Sequence, residues 1–230
     1  MNVTTPSTAR WISRAAWTTA AVGTVGGQLH AVARGLSHPE DWQEAPLTRL
    51  WAEPTSQALG PLFDWSDPWT VYITYGKLWT PVCVALTLAA FLVYQRRGPT
   101  GLERRLWHVV LAGHVLMTVS VVGDYFTPRW MDVMFLVGVG AMLIIGLGGI
   151  LLGSLLLRRG FRPRVSAVLL VAFLPGVFLI TTVTSLGSAL LPLAWGWAIA
   201  AHRAAQPASS GMTSSSKSSM PDVSYAASAK

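Results

Sequence analysis

Residues 134–157 read MFLVGVGAMLIIGLGGILLGSLLL and carry no charge. At about 1.5 Å per residue, a helix of this length reaches about 36 Å, enough to cross a hydrocarbon core of about 30 Å. A soluble core helix rarely needs so long an apolar run, so the stretch predicts a transmembrane helix. Asp132 stands just before it and Arg158-Arg159 just after. The chain repeats this pattern, with apolar spans separated by acids on one side and arginines on the other. Only 12% of the residues are charged against 52% hydrophobic, where a soluble domain carries about 25% charge. The expected fold is an all-α, polytopic membrane bundle of about six helices.

The spans fall in order. Residues 11–33 form a mildly apolar segment after Arg10, containing Thr18, Thr19, Gln28 and His30. It reads either as a first transmembrane helix or as a signal peptide ending in the small-residue site Ala31-Val32-Ala33, which would leave five spans. The second span covers 71–94, with Pro81 as its expected bend. The third covers 106–126 and the fourth 134–157. The last apolar run, 165–201, is too long for one crossing. It divides into 165–183 and 186–201, or alternatively forms a re-entrant hairpin. Residues 204–230 are a serine-rich tail with little to bury, expected to be disordered. The decapeptide LLLRRGFRPR at 155–164, before a closing helix pair, resembles the general pattern of bacterial multi-spanning proteins and implies no function.

The loop at 35–69 holds six of the chain's ten acids: Glu40, Asp41, Glu44, Glu53, Asp64 and Asp67. Ser37-His38-Pro39-Glu40 has the form of a capping box, predicting a short helix from Pro39 towards Glu53, broken at Pro46. Pro54 and Pro61 are expected to interrupt the chain beyond Glu53. Arg10, Arg14, Arg96, Arg97, Arg104, Arg105, Arg158, Arg159, Arg162, Arg164, Arg203, Lys217 and Lys230 all fall on one side of six spans. Only Arg34, Arg49, Lys77 and Arg129 fall on the other. The positive-inside rule puts the first side in the cytoplasm. Both termini are then cytoplasmic, in a multi-pass plasma-membrane protein with its acidic loop outside. Trp79 and Trp130 agree at the outer boundary, and Trp107, Trp195 and Trp197 at the inner one. The net charge of +7 does not point to nucleic acid, because these arginines flank apolar spans rather than a soluble face. The expected partner is the lipid bilayer, together with a second copy or another membrane protein.

Several constellations carry potential chemistry. His108 and His114 are six residues apart and point about 120° from each other on a helix, so they do not face one ligand together. No cofactor or metal is expected. His114 reads as a buried polar residue between helices. Val121-Val122-Gly123-Asp124 lacks the first glycine of the Gly-x-Gly-Asp pattern of presenilin-type proteases, and no second intramembrane aspartate accompanies it. Cys83, the only cysteine, reads as a buried small hydrophobe.

His30, Lys77, Asp124, Arg129 and Asp132 all fall towards the outer span ends. They predict a polar cluster, with Lys77–Asp124 as a potential pair. In the fourth span Gly146, Gly149 and Gly153 form a small-residue stripe, with Gly138 further along the same side beyond Met142. Such spacing lets helices approach closely, within the bundle or in a dimer. The leading functional expectation is a non-enzymatic structural or accessory membrane component. The second is a small transport or ligand-binding protein using the outer cluster, and the third a haem-binding or enzymatic membrane protein.

Overall fold

The computed structural model describes residues 5–206, and within them every regular element is helical. The expected serine-rich tail lies outside the described residues, apart from its first three positions. Ten α-helices run in order: α1 (Pro6–Ser37), α2 (Pro39–Glu44), α3 (Pro46–Ala58), α4 (Pro68–Gly76), α5 (Trp79–Arg97), α6 (Gly101–Phe126), α7 (Met131–Arg158), α8 (Arg164–Val171), α9 (Phe173–Thr181) and α10 (Leu191–Ala205). Three stretches are long and apolar enough to cross a membrane: Pro68–Arg97, Gly101–Phe126 and Pro128–Arg158. A fourth arises if α8 and α9, bent by 66°, count as one span. By length and composition, three or four of the six expected crossings therefore qualify. α1 is long but carries Arg10, Arg14, Gln28 and Arg34, and α10 has only 15 residues.

Prolines explain where the helices break. A proline removes its own N–H and its ring displaces the carbonyl four residues earlier. Pro81 therefore disturbs Lys77, and the break between α4 and α5 falls at Lys77-Leu78, N-terminal to the expected bend. Pro175 likewise disturbs Val171, and α8 gives way to α9 at Ala172. Pro54 does not act as a break and lies inside α3. The expected capping box does not form either. His38 is the N-cap of α2 without a side-chain bond, while the Ser37 hydroxyl donates back to the Arg34 carbonyl at 3.0 Å. A working cap appears at Asp67, which accepts from the Thr70 amide at 3.0 Å ahead of Pro68. Hydrogen bonds from Thr70 hold its carboxyl below the usual carboxylate range.

α1 packs on α4, α5 and α10, while α6 and α7 form a hairpin that closes onto α5 and α8. α7 is apolar all round, with most of its glycines on the inward face. Leu136, Leu143, Leu147 and Leu151 face outward, while Gly138, Ala141, Ile145, Gly149 and Leu152 face inward. Small residues inside permit close approach, and large ones outside present an apolar exterior. A Cβ on Gly153 would lie 2.7 Å from the Ala167 carbonyl oxygen, and one on Gly149 would lie 3.0 Å from that of Leu170. These two glycines therefore let α7 meet the backbone of α8. Gly146 faces the Leu174 side chain, and Gly138 faces Ser120, whose hydroxyl donates to the Met134 carbonyl at 2.6 Å. All four glycines of the stripe are turned inward within one chain.

The closing segment runs the full height of the bundle. Arg162 and Arg203 stand at one end beside Arg97, and Ser185–Gly187 at the other end beside Asp124 and Tyr125. The chain thus climbs through α8 and α9 and descends through α10.

Candidate functional site

A cavity of about 360 Å³ opens where α1 and α6 end and α7 begins. α1 supplies His30 and Arg34, and α4 and α5 supply Tyr72 and Trp79. α6 and α7 supply Ser120, Asp124, Tyr125, Asp132 and Gly138. The turn before α10 closes it with Ser185, Leu186 and Gly187. Tyr72 and Trp79 are seven residues apart, close to two helical turns, and so share one face of the α4–α5 stretch.

The wall around His30 is aromatic. Its ring stacks on Tyr72 at 5.1 Å between centroids and meets Tyr125 and Trp79 edge-on at 5.5 and 6.3 Å. His30 Nε2 shares a 3.0 Å hydrogen bond with the Tyr125 hydroxyl. Gly76 makes room for Tyr125, because a side chain there would collide with the tyrosine ring. Arg34, at the rim, forms an ion pair with Asp41 of α2, which ties the acidic loop to the bundle. A second link joins Trp51 Nε1 of α3 to the Val183 carbonyl at 2.7 Å.

The polar groups of this wall are incompletely matched. Among the described residues, His30 Nδ1, Trp79 Nε1 and Ser185 Oγ are buried without a hydrogen-bond partner, and all three residues line the cavity. Each such atom ordinarily costs about 1–3 kcal/mol when left unpaired. Trp79 can only donate, Ser185 can donate or accept, and His30 does either according to its tautomer. An adjoining concavity of about 310 Å³ shares Arg34, Phe135, Ser185 and Leu186 with the first and adds Asp41 and Glu44.

The polar residues expected to cluster are thus partly gathered. His30, Asp124 and Asp132 line one cavity, while Lys77 and Arg129 do not. The expected Lys77–Asp124 pair is absent among the described residues. Lys77 Nζ lies over the Phe126 ring at 5.4 Å, because the break after α4 turns it along the end of α6. Arg129, in the turn between α6 and α7, is exposed. Tyr72 and Tyr125 fall at the same outer level in the sequence and join His30 and Asp124 here, whereas Arg34, Trp79 and Ser185 were missed as neighbours.

His114 lies elsewhere, deep in the bundle. Trp197 Nε1 donates to its Nε2 at 3.1 Å, so the ring proton resides on Nδ1. Trp197, Trp107 and Trp79 are buried in the core, each with its ring packed between helices. Among the described residues no three His, Cys, Asp or Glu side chains converge as a metal site. No known protein family, curated protein or solved structure matches the chain.

At the opposite end Glu103 is only 2% exposed. It accepts from Arg97, from Arg159 Nη1 at 2.7 Å and from Trp107 Nε1 at 3.4 Å. The charge pattern gave this residue no distinction, because one acid among many arginines reads as a solvated loop.

Proposed function

We propose that this chain is a multi-pass membrane protein that binds a small solute in the cavity around His30, with that cavity facing outward. The proposed topology has six crossings: α1, α4–α5, α6, α7, the bent α8–α9 pair and α10. The lysine and arginine distribution supports cytoplasmic termini. The large apolar side chains on the outer face of α7, and Phe178 and Leu179 on α9, support lipid contact.

The observation that carries the binding reading is the cavity wall itself. His30, Tyr72, Trp79 and Tyr125 give an aromatic lining to a space of about 360 Å³ that also holds the carboxylates of Asp124 and Asp132, within the size range of small-molecule sites. A solute there has an apolar, ring-sized body. It carries a donor towards the carboxylates of Asp124 and Asp132. A wall that combines aromatic rings with two carboxylates favours the ligand-binding reading over an accessory one.

Thermal unfolding of the purified protein tests it, with benzamide, benzylamine and benzoate as probes. Benzamide or benzylamine is expected to raise the midpoint saturably, by the linkage between binding and stability. Benzoate, repelled by the two carboxylates, is expected not to. Asp124→Asn should weaken the effect and Lys77→Met should leave it intact. No shift with any probe, or equal shifts in the wild type and Asp124→Asn, would sink the reading. Orientation is checked separately in a Cys83→Ala background. A membrane-impermeant maleimide on intact cells should label Gln57→Cys and spare Arg105→Cys.

A further inference from the structure

The end of the bundle opposite the cavity holds a groove of about 540 Å³ between the last turns of α5 and α10 and the turn at 160–162. Arg96, Arg97, Arg162 and Arg203 line it, and among the described residues no acidic side chain does. Arg97 is fixed from behind. Glu103 holds its Nε and Nη2, and its guanidinium carbon sits 5.4 Å from the centre of the Phe161 ring. Glu103 therefore orients Arg97 without entering the groove. Arg162 and Arg203 are exposed, and their side chains form no ion pair among the described residues.

Guanidinium groups gathered around one concavity repel one another unless an anion joins them. Their planar forks match phosphate oxygens two at a time. The helix ends reinforce this placement only for the cations, since helix C-termini attract arginine, and they contribute no attraction for the anion. The arginines themselves must supply it.

We infer that this groove is a binding site for a phosphate-bearing anion, held between Arg97, Arg162 and Arg203. The chemistry is shared by a phospholipid headgroup and a free phosphate compound. The proposed topology only decides which leaflet the groove faces. Binding in detergent does not depend on it.

Native mass spectrometry of the full-length protein in neutral detergent tests the site. The probes are dioleoylphosphatidylglycerol, dioleoylphosphatidylcholine and inorganic phosphate. The anionic lipid should be retained over the zwitterionic one. Arg162→Gln with Arg203→Gln should lower that retention by about tenfold or more, given about 1 kcal/mol per surface arginine on an anionic headgroup. Arg104→Gln with Arg105→Gln, exposed arginines outside the groove, serves as the control and should change little. Arg162→Lys with Arg203→Lys keeps charge but loses the fork, and should retain an intermediate amount. Competition by inorganic phosphate would identify a free phosphate compound as the occupant, and its absence a lipid headgroup. Equal retention of the two lipids without phosphate binding would overturn the site. So would equal losses in the two glutamine pairs, because a diffuse basic surface predicts that result. Failure of the cavity probes with success here would leave this site standing, and the converse would remove it alone.

Discussion

The two ends of this bundle use buried polarity in opposite ways. At one end Glu103 is enclosed and every one of its demands is met, by Arg97, Arg159 and Trp107 from three directions. At the other end His30, Trp79 and Ser185 are enclosed with polar atoms left open. A satisfied buried charge fastens α5, α6 and the end of α7 together. At the cavity end the corresponding atoms, His30 Nδ1, Trp79 Nε1 and Ser185 Oγ, have no such partners among the described residues. A buried polar group thus fastens helices only where partners arrive within hydrogen-bond reach.

The largest expected effect breaks the fastening. Glu103→Ala leaves Arg97 and Arg159 facing each other without a carboxylate and strips Trp107 of its acceptor. Removing one member of a buried ion pair costs about 3–5 kcal/mol. Arg159 is 49% exposed and can turn to water, so about 3 kcal/mol is expected, read as a lowered unfolding midpoint in detergent. An unchanged midpoint would mean that Glu103 does not bind the helices together.

A second comparison lies along α7. Gly153→Ala puts a methyl group 2.7 Å from a backbone oxygen of α8, which cannot swing aside, and overpacking of this kind costs about 1–3 kcal/mol. Gly140→Ala meets nothing within 4 Å. It should be neutral or slightly stabilising, since alanine favours helix by up to about 1 kcal/mol. Thermal unfolding of the two variants side by side should separate them, and equal midpoints would refute the close approach of α7 and α8.

The smallest effect sharpens the contrast between the ends. Trp197→Phe removes the donor to His114, whereas Trp79→Phe removes a donor that has no partner. Both lose the same ring volume, so the lost hydrogen bond is the expected main difference between them. Trp197→Phe should be the more destabilising by about 1 kcal/mol. If Trp79→Phe proves equally harmful, then its N–H is already satisfied and the cavity wall is closed at that point.

Some of this was legible in the sequence. The uncharged run at 134–157 announced α7, because an apolar stretch of that length has few other uses. Pro46 and Pro81 marked broken helices, although the break for Pro81 falls at the carbonyl its ring displaces, while Pro54 lies inside α3 and the break before Pro175 went unread. The polar cluster was legible only as depth along helices. His30 and Asp124 share a level and a cavity. Lys77 and Arg129 share the level alone, because rotation about a helix axis and the turn of a loop are not written in spacing.

Local composition and period are enough to make the chain helical, to mark where it is apolar, and to say which segments bear its cations. Which neighbours meet is a property of the assembled bundle. Glu103 became a clamp because α6 returns it beside Arg97 and α7 ends at Arg159. Trp79, Trp107 and Trp197 became core because three helices close around them. Pairing depends on the orientation of whole helices, and that is set by contacts between residues far apart in the chain.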